Sequence, residues 1–209
     1  MSEERDARRM PCGLSAVILC GGRSRRMHVD KALLPIGGQT LLEHVIGRVR
    51  PWVDDLVLAA RAGQSGLPDE RVVYDSSPDR GPLPAVVEAL PLLMHEHVLI
   101  VAVDTPLLVP ELIPMLHHRL GDADVAVPWV NGHPVMALSV MSRPAVLRVA
   151  PAMREGAGLR DLLPCVRVVR VSEDDLRLVD PELQSFIPCN TPDEWRAALD
   201  LHGHLVSDR

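Results

Sequence analysis

The chain has 209 residues, a length that suits one α/β domain and leaves little room for two large ones. Hydrophobic residues make up 47% of it and charged residues 24%, an ordinary globular composition that excludes disorder or a coiled coil as the main description. A formal net charge of -6 and an aromatic content of 2% disfavour nucleic-acid binding, because basic surface and stacking rings are both scarce. No apolar run approaches the roughly 20 residues of a membrane span, so we expect no membrane partner.

The cysteines and the single lysine indicate the redox state of the protein and a candidate site residue. The four cysteines never stand two or three residues apart, so no zinc-ribbon or CxxC pattern occurs. With no secretory signal, we expect reduced thiols in a cytoplasmic protein. Lys31 is the single lysine, since every other basic residue is an arginine. A site that accepts a compact ammonium group but not a planar guanidinium would explain its retention, and chance is the alternative.

Strands and helices alternate over the first 120 residues. Short apolar runs bounded by turn residues predict buried strands at 15–20, 56–60, 72–74 and 97–103. Apolar residues at helical spacing predict helices at 41–53, 82–94 and 110–120. Thr40 and Glu43 form a capping box for the first helix, whereas Pro114 interrupts the third. This alternation indicates an α/β fold with a mostly parallel sheet and helices on both faces.

The second half is less regular. Further strands are predicted at 123–128, 135–140 and 166–171, and further helices at 143–153, 159–163 and from Thr191 onward. No repeat or linker divides the chain. We therefore expect a flexible tail at 1–13, a single domain at 14–203 and a second tail at 204–209.

The densest polar segment follows the first predicted strand directly. It reads Gly21-Gly-Arg-Ser-Arg-Arg-Met-His-Val-Asp-Lys31. Glycines let the backbone approach a ligand and point its N–H groups at it, and clustered cations neutralise phosphates. Ligands of open α/β sheets bind at the carboxyl ends of strands, where this segment begins. We interpret it as a polyphosphate-binding loop, with a basic surface turn as the alternative.

Three polar residues at the ends of elements are further candidates. Asp104 follows the most apolar strand, where one carboxylate suffices to hold Mg²⁺ on nucleotide phosphates; a helix cap is the alternative. Asp75 opens a turn-rich segment and would contact a base, a ribose or a metal, unless it serves the turn alone. Asn190 precedes the last helix, either as a site residue or as part of its cap.

Several catalytic signatures are missing from the sequence. It contains neither G-x-x-x-x-G-K-[ST] nor G-x-G-x-x-G, which disfavours a P-loop nucleotidase and a dinucleotide-dependent reductase. HExxH and GxSxG are missing too, which disfavours a zinc hydrolase and a serine hydrolase.

The segment from Leu19 to Lys31 resembles the signature L-A-G-G-x-S-x-R-M-G-x-D-K of the nucleotidyltransferases that modify molybdenum cofactor. The molybdenum cofactor guanylyltransferases are the most similar members. The resemblance spans about residues 14–200 and continues, in the same order, through these motifs: Lys31-Ala-Leu-Leu, Asp75…Gly81-Pro-Leu83, Asp104-Thr-Pro106, Gly132-His-Pro134 and Asn190-Thr-Pro192.

The resemblance implies a three-layer Rossmann-like nucleotide-diphospho-sugar transferase fold. It implies transfer of GMP from GTP to molybdopterin, with Mg²⁺ present and pyrophosphate released. Proteins that deliver or accept the cofactor are the protein partners it would imply. Carried over residue by residue, it assigns nucleotide contacts to Leu19, Cys20, Gly21, Gly22 and Asp75, phosphate contacts to Arg26 and Lys31, and Mg²⁺ to Asp104. Arg26, Lys31 and Asp104 would be the catalytic residues.

The sequence departs from the family pattern at four places. Cys20 replaces alanine, His28 replaces glycine, and Pro84-Ala85 stand where Ala-Gly is usual. Ala59-Ala-Arg61 lacks the asparagine that contacts the nucleotide in the guanylyltransferases. The choice between GTP and CTP therefore stays open, as do a cytidylyltransferase and a non-catalytic nucleotide- or cofactor-binding paralogue. Candidates for the acceptor pocket are Arg160 and His133-Pro134.

Overall fold

A computed structural model describes residues 12–22, 29–75, 81–187 and 189–207. Arg26 and His28, together with residues 1–11 of the expected tail, lie outside the described residues. Cys12 and Gly13, the last two residues of that tail, are anchored: their N–H groups donate to the Asp54 carboxylate at 2.9 and 2.8 Å.

Eight strands form one sheet and two more form a hairpin. In chain order they are β1 (Leu14–Leu19), β2 (Pro35–Ile36), β3 (Gln39–Thr40), β4 (Asp55–Arg61), β5 (Arg71–Asp75), β6 (His97–Ala102), β7 (Val125–Val130), β8 (His133–Pro134), β9 (Leu138–Ser142) and β10 (Val168–Val171). The sheet has the order β10-β7-β9-β6-β1-β4-β5, with β8 beside β7, and β2 pairs with β3 apart from it.

The sheet is mostly parallel at its centre. β1 runs parallel to β4 on one side and to β6 on the other, β4 is parallel to β5, and β10 is parallel to β7. β9 is antiparallel to both β6 and β7. The chain moves from β1 outward to β4 and β5, then returns to place β6 on the opposite side of β1. This reversal is a topological switch point, where ligands of open α/β sheets bind.

The helices cover both faces of the sheet. They are α1 (Leu41–Val49), α2 (Pro82–Ala89), α3 (Leu112–Leu120), α4 (Arg143–Val149), α5 (Glu173–Arg177) and α6 (Pro192–Ser207). Buried residues of α1, α3, α5 and α6 pack on one face, and those of α2 and α4 pack on the other. The predicted α/β fold, with three layers and a mostly parallel sheet, is thereby confirmed.

Prolines explain most of the differences from the predicted helices. α1, α2 and α4 end earlier than predicted, and each continues as a 3-10 turn with proline at its centre: Arg50–Trp52, Leu90–Leu92 and Ala150–Ala152. Proline lacks the N–H that the next α-helical bond requires. Pro114 interrupts nothing, because α3 begins at Leu112 and the first turn of a helix tolerates proline. The predicted helix at 159–163 is a 3-10 helix, Leu159–Cys165.

Two boundaries in the second half also differ. The strand predicted at 135–140 is β9, which begins only at Leu138, because Asn131 and Gly132 adopt positive φ angles (52° and 75°) and turn the chain into the short β7-β8 hairpin. α6 continues to Ser207, past the domain boundary expected at residue 203, since no proline follows to stop its backbone ladder.

Candidate active site

A cleft of about 1230 Å³ lies at the carboxyl ends of β1, β4, β5 and β6, at the switch point of the sheet. The start of α2, the loop before β9, the 3-10 helix Leu159–Cys165 and Asn190 also contribute to its lining. The predicted site residues that line it are Leu19, Cys20, Gly21, Gly22, Lys31, Asp75 and Asp104. Arg26 is outside the described residues. The structure thus brings together residues that lie far apart in the sequence, as the parallel topology predicts.

Gly21 serves a close approach between two strand ends. Its N–H donates to the Ala59 carbonyl at 3.1 Å, next to the Cys20 N–H, which donates to the same oxygen at 2.9 Å. A Cβ on Gly21 would stand 2.7 Å from the Arg61 nitrogen and 2.9 Å from the Ala60 carbonyl carbon. Around Gly22 nothing lies within 4 Å of such a Cβ. The two glycines, both predicted to let the backbone approach a ligand, therefore differ. Gly21 is required for packing against β4, whereas Gly22 borders open space.

Cys20 in the cleft lining and Cys189, which precedes Asn190, are unsuited to nucleophilic chemistry. Burial, followed by the nearby Asp30 carboxylate, raises the pKa of Cys20 to about 12. Burial likewise raises the pKa of Cys189 to about 11, despite the opposing effect of Lys31. Both cysteines are protonated at neutral pH, so a covalent thiolate mechanism is disfavoured.

Lys31 stands at the start of a 3-10 helix (Lys31–Leu33). Asp30 caps this helix by accepting from the Ala32 N–H at 3.1 Å. The Lys31 side chain is 13% exposed, and its ammonium group donates to Asp104 Oδ2 at 3.3 Å and to Asn190 Oδ1 at 2.8 Å. A lysine held beside a carboxylate in a cleft supplies a positive charge at a defined point, as a phosphate ligand requires.

Asn190, which sequence analysis left open between site and cap, lies in the cleft. Its backbone N–H donates to Glu194 Oε2 at 2.6 Å, and the Thr191 N–H donates to the same oxygen at 3.0 Å. Glu194 in turn donates its N–H to Thr191 Oγ1 at 3.2 Å. The hydrogen bonds donated to its carboxylate lower the pKa of Glu194, the one from Asn190 most. Asn190 therefore takes part in both interactions. Its backbone N–H bonds to the capping residue Glu194, and its side-chain oxygen accepts from Lys31.

The acidic lining of the cleft fits a magnesium ion that shares its coordination with phosphates. Asp104 and Asp75 both line the cleft, and the side chain of Asp104 is 32% exposed. Within the described ranges, no three histidine, cysteine or acidic side chains are grouped as a metal cage. Mg²⁺ usually takes one or two protein carboxylates and completes its shell with water and substrate oxygens, so Asp104 and Asp75 are chemically suitable ligands.

The far wall of the cleft comes from the irregular half of the chain. Arg160 lines it, as the acceptor-pocket interpretation expects. His133 and Pro134 do not; they form β8, and the residues that follow them, 135–137, line the cleft in their place. Arg61, which sequence analysis treated only as part of a departure from the family pattern, lies in the lining and pairs with Asp30 Oδ2 at 2.9 Å.

The fold and the cleft define an open α/β protein with a ligand-sized cleft at its switch point, and comparisons with known proteins identify the class. Residues 16–171 match the family model of the MobA-like NTP transferase domain. The chain belongs to this family and is a nucleotidyltransferase of the molybdenum cofactor guanylyltransferase type.

Named relatives agree over most of the chain. A probable molybdenum cofactor guanylyltransferase of Pelotomaculum thermopropionicum is 34% identical over 183 residues, covering 86% of this chain and 89% of the relative. One from Mycobacterium avium is 33% identical and covers 88% and 94%. The fold matches the crystal structure of molybdopterin-guanine dinucleotide biosynthesis protein A from Archaeoglobus fulgidus, with a TM-score of 0.75, 23% identity and coverage of 91% and 99%.

No helix within the described residues is long and apolar enough to cross a membrane.

Proposed function

We propose that this enzyme transfers GMP from GTP to molybdopterin in a Mg²⁺-dependent reaction, forming the guanine dinucleotide cofactor. The observation that carries the proposal is the contact of Lys31 with Asp104 and Asn190 in a cleft at the switch point of the sheet. The curated names of the relatives supply the substrate class.

The reaction requires that the two reacting phosphates are aligned and that their negative charge is compensated; it requires no covalent enzyme intermediate. A molybdopterin phosphate oxygen attacks the α-phosphorus of GTP, the bond from that phosphorus to the α–β bridging oxygen breaks, and pyrophosphate leaves with the electron pair. A phosphate monoester is largely ionised at neutral pH, with a second pKa of about 6, so no general base is needed. Catalysis then depends on alignment and on compensation of phosphate charge.

Residues of the cleft would supply this alignment and charge compensation. Lys31 would bind the phosphates, exchanging its contact with Asp104 for a phosphate oxygen. Asp104, with Asp75 nearby in the lining, would hold Mg²⁺, which would withdraw charge from the phosphate oxygens when bound. Asn190 would keep the ammonium group in place during the exchange. From the sequence, Arg26 would add a second cation.

The nucleotide would lie along the ends of β1 and β4. Leu19, Cys20, Gly21 and Gly22 border this part of the cleft, and open space beside Gly22 suits a ligand that approaches its backbone. Asp75 at the end of β5 would contact the nucleotide from the side. Arg160 would face the acceptor.

A cytidylyltransferase is the second candidate, and one observation favours it. Ala59 and Ala60 line the cleft near the end of β4. Neither has a side-chain amide that could form hydrogen bonds with guanine. The fold also matches a 2-C-methyl-D-erythritol 4-phosphate cytidylyltransferase from Thermus thermophilus, with a TM-score of 0.69 at 18% identity.

Calorimetric titration with GTP and with CTP, each with Mg²⁺, tests both candidates. We expect GTP to bind more tightly, and binding to weaken at least tenfold in Lys31→Ala and Asp104→Ala. Arg119→Ala is the matched control, since Arg119 pairs with Asp175 away from the cleft. A preference for CTP would favour the second candidate, and binding of neither nucleotide would contradict the proposal.

A further inference from the structure

Gln64 is a buried polar side chain next to the cleft that the proposed mechanism does not use. It is 6% exposed and lies in the turn after β4. Its side-chain nitrogen donates to the Cys20 carbonyl at 3.0 Å and to Asp30 Oδ2 at 3.2 Å. Its side-chain oxygen accepts from the Arg61 N–H at 3.2 Å. A primary amide has two donors and one acceptor group, and all three are used here.

These bonds join the two ends of the glycine- and arginine-rich segment. Cys20 directly follows β1, and Asp30 directly precedes Lys31. Asp30 is held on both carboxylate oxygens: Ala32 donates to Oδ1, while Gln64 and Arg61 donate to Oδ2. The start of the 3-10 helix that carries Lys31 is therefore fixed against the end of β4.

We propose that Gln64 is a positioning residue: its amide ties Cys20 to Asp30 and thereby sets where the Lys31 ammonium group stands in the cleft. An ion pair alone would not do this, because the carbonyl of Cys20 requires a neutral or cationic donor and the Arg61 N–H requires an acceptor. Only a group with both functions satisfies the two strand ends and Asp30 together. Burial makes any unpaired member of this set costly, so the arrangement has few alternatives.

The single lysine of the chain makes its position measurable without a nucleotide. Acylation with a water-soluble active ester reacts with unprotonated amines, and peptide mapping by mass spectrometry separates Lys31 from the N-terminal amine. In the wild type, Lys31 is 13% exposed and held by Asp104 and Asn190, so acylation is expected to be slow. Asn190→Ala, which removes the 2.8 Å partner, is the positive control.

Gln64→Glu tests the donor function at nearly constant shape. It keeps the acceptor for Arg61 but brings a second carboxylate to Asp30, so we expect Lys31 acylation to accelerate at least fivefold. Adding Asp30→Asn removes the repulsion between the two carboxylates but leaves the Cys20 carbonyl without its donor, so we expect the double variant to react more slowly than Gln64→Glu and still at least threefold faster than the wild type. Asp30→Asn alone completes the double-mutant cycle. Gln184→Glu is the matched charge control, since Gln184 does not line the cleft.

Thermal unfolding of every variant separates positioning from general stability. An unchanged acylation rate in Gln64→Glu would overturn the proposal even if the melting temperature falls. So would a double variant that reacts as slowly as the wild type, because the contact with Cys20 would then not be needed. Should Gln64→Glu not fold, Gln64→Asn replaces it; its shorter amide cannot span all three partners, and an acylation rate equal to that of the wild type would overturn the proposal equally.

The proposal rests on the proposed function only for its effect on nucleotide binding. There we expect the GTP dissociation constant of the variants to rise in the order of their acylation rates. Because acylation needs no nucleotide, a wild type that binds no GTP would contradict the proposed function and leave the acylation result to decide about Gln64.

Discussion

The substitution Gly21→Ala tests the packing of β1 against β4, on which the geometry of the cleft depends. The new Cβ would stand 2.7 Å from the Arg61 nitrogen and 2.9 Å from the Ala60 carbonyl carbon. Both are backbone atoms of a buried strand, so neither can rotate away. The strand ends must separate, and the hydrogen bond from the Gly21 N–H to Ala59, now 3.1 Å, would lengthen or break.

The expected cost follows from these two effects. Overpacking costs about 1–3 kcal/mol and a lost hydrogen bond about 0.5–1.5 kcal/mol, so the free energy of unfolding should fall by about 2–4 kcal/mol. For a domain of this size each kcal/mol corresponds to about 2–4 °C, which gives a melting temperature lower by roughly 4–16 °C. GTP binding should weaken as well, because Gln64 joins the Cys20 carbonyl to Asp30, the residue before Lys31.

Urea unfolding followed by circular dichroism measures the change, and Gly22→Ala is the matched control. Nothing lies within 4 Å of a Cβ on Gly22, so that variant should unfold within about 0.5 kcal/mol of the wild type. Equal losses in the two variants, or a loss below 0.5 kcal/mol in Gly21→Ala, would refute the reasoning.

Three further predictions concern the metal, pH and helix capping. In Asp104→Asn we expect Mg²⁺ no longer to tighten GTP binding in calorimetry, and a retained Mg²⁺ effect would remove Asp104 from the proposed metal site. Burial lowers the pKa of His44, His117 and His202, so below pH 6.5 the unfolded chain binds more protons than the folded one. The melting temperature should therefore fall between pH 7.5 and 5.5, less so in His117→Asn; a flat profile in the wild type would contradict this. Thr40→Ala removes the acceptor of the Glu43 N–H and should cost about 1 kcal/mol in urea unfolding, whereas no change would mean that water replaces the cap.

Local sequence patterns predicted the architecture because the apolar runs, capping residues and prolines that define each element lie within that element. The first strand is apolar except for Ser15, and its residues up to Ile18 are buried on both faces, as expected of a central parallel strand. Thr40 and Glu43 form both bonds of the predicted capping box. The early ends of three helices were also available from the sequence, since each coincides with a proline inside the predicted range.

The contacts within the cleft were beyond sequence reasoning. Asn190 and Lys31 are separated by 159 positions, and only the finished sheet brings the start of α6 to the first loop. Gln64 carries no motif, and its importance comes from three partners on separate segments. One feature of the sequence did point to this site. Lys31 is the single lysine among many arginines, which suggested a specific role, and the structure places it in the cleft.

Transfer of the α-phosphate label of GTP to molybdopterin tests the central claim most directly. The purified enzyme would be incubated with α-³²P-labelled GTP, Mg²⁺ and molybdopterin, and both the labelled product and released pyrophosphate would be quantified. The account predicts one pyrophosphate for each labelled product, dependence on Mg²⁺ and on the acceptor, and much slower transfer from CTP. No labelled product under conditions where GTP binds, or faster transfer from CTP, would contradict it.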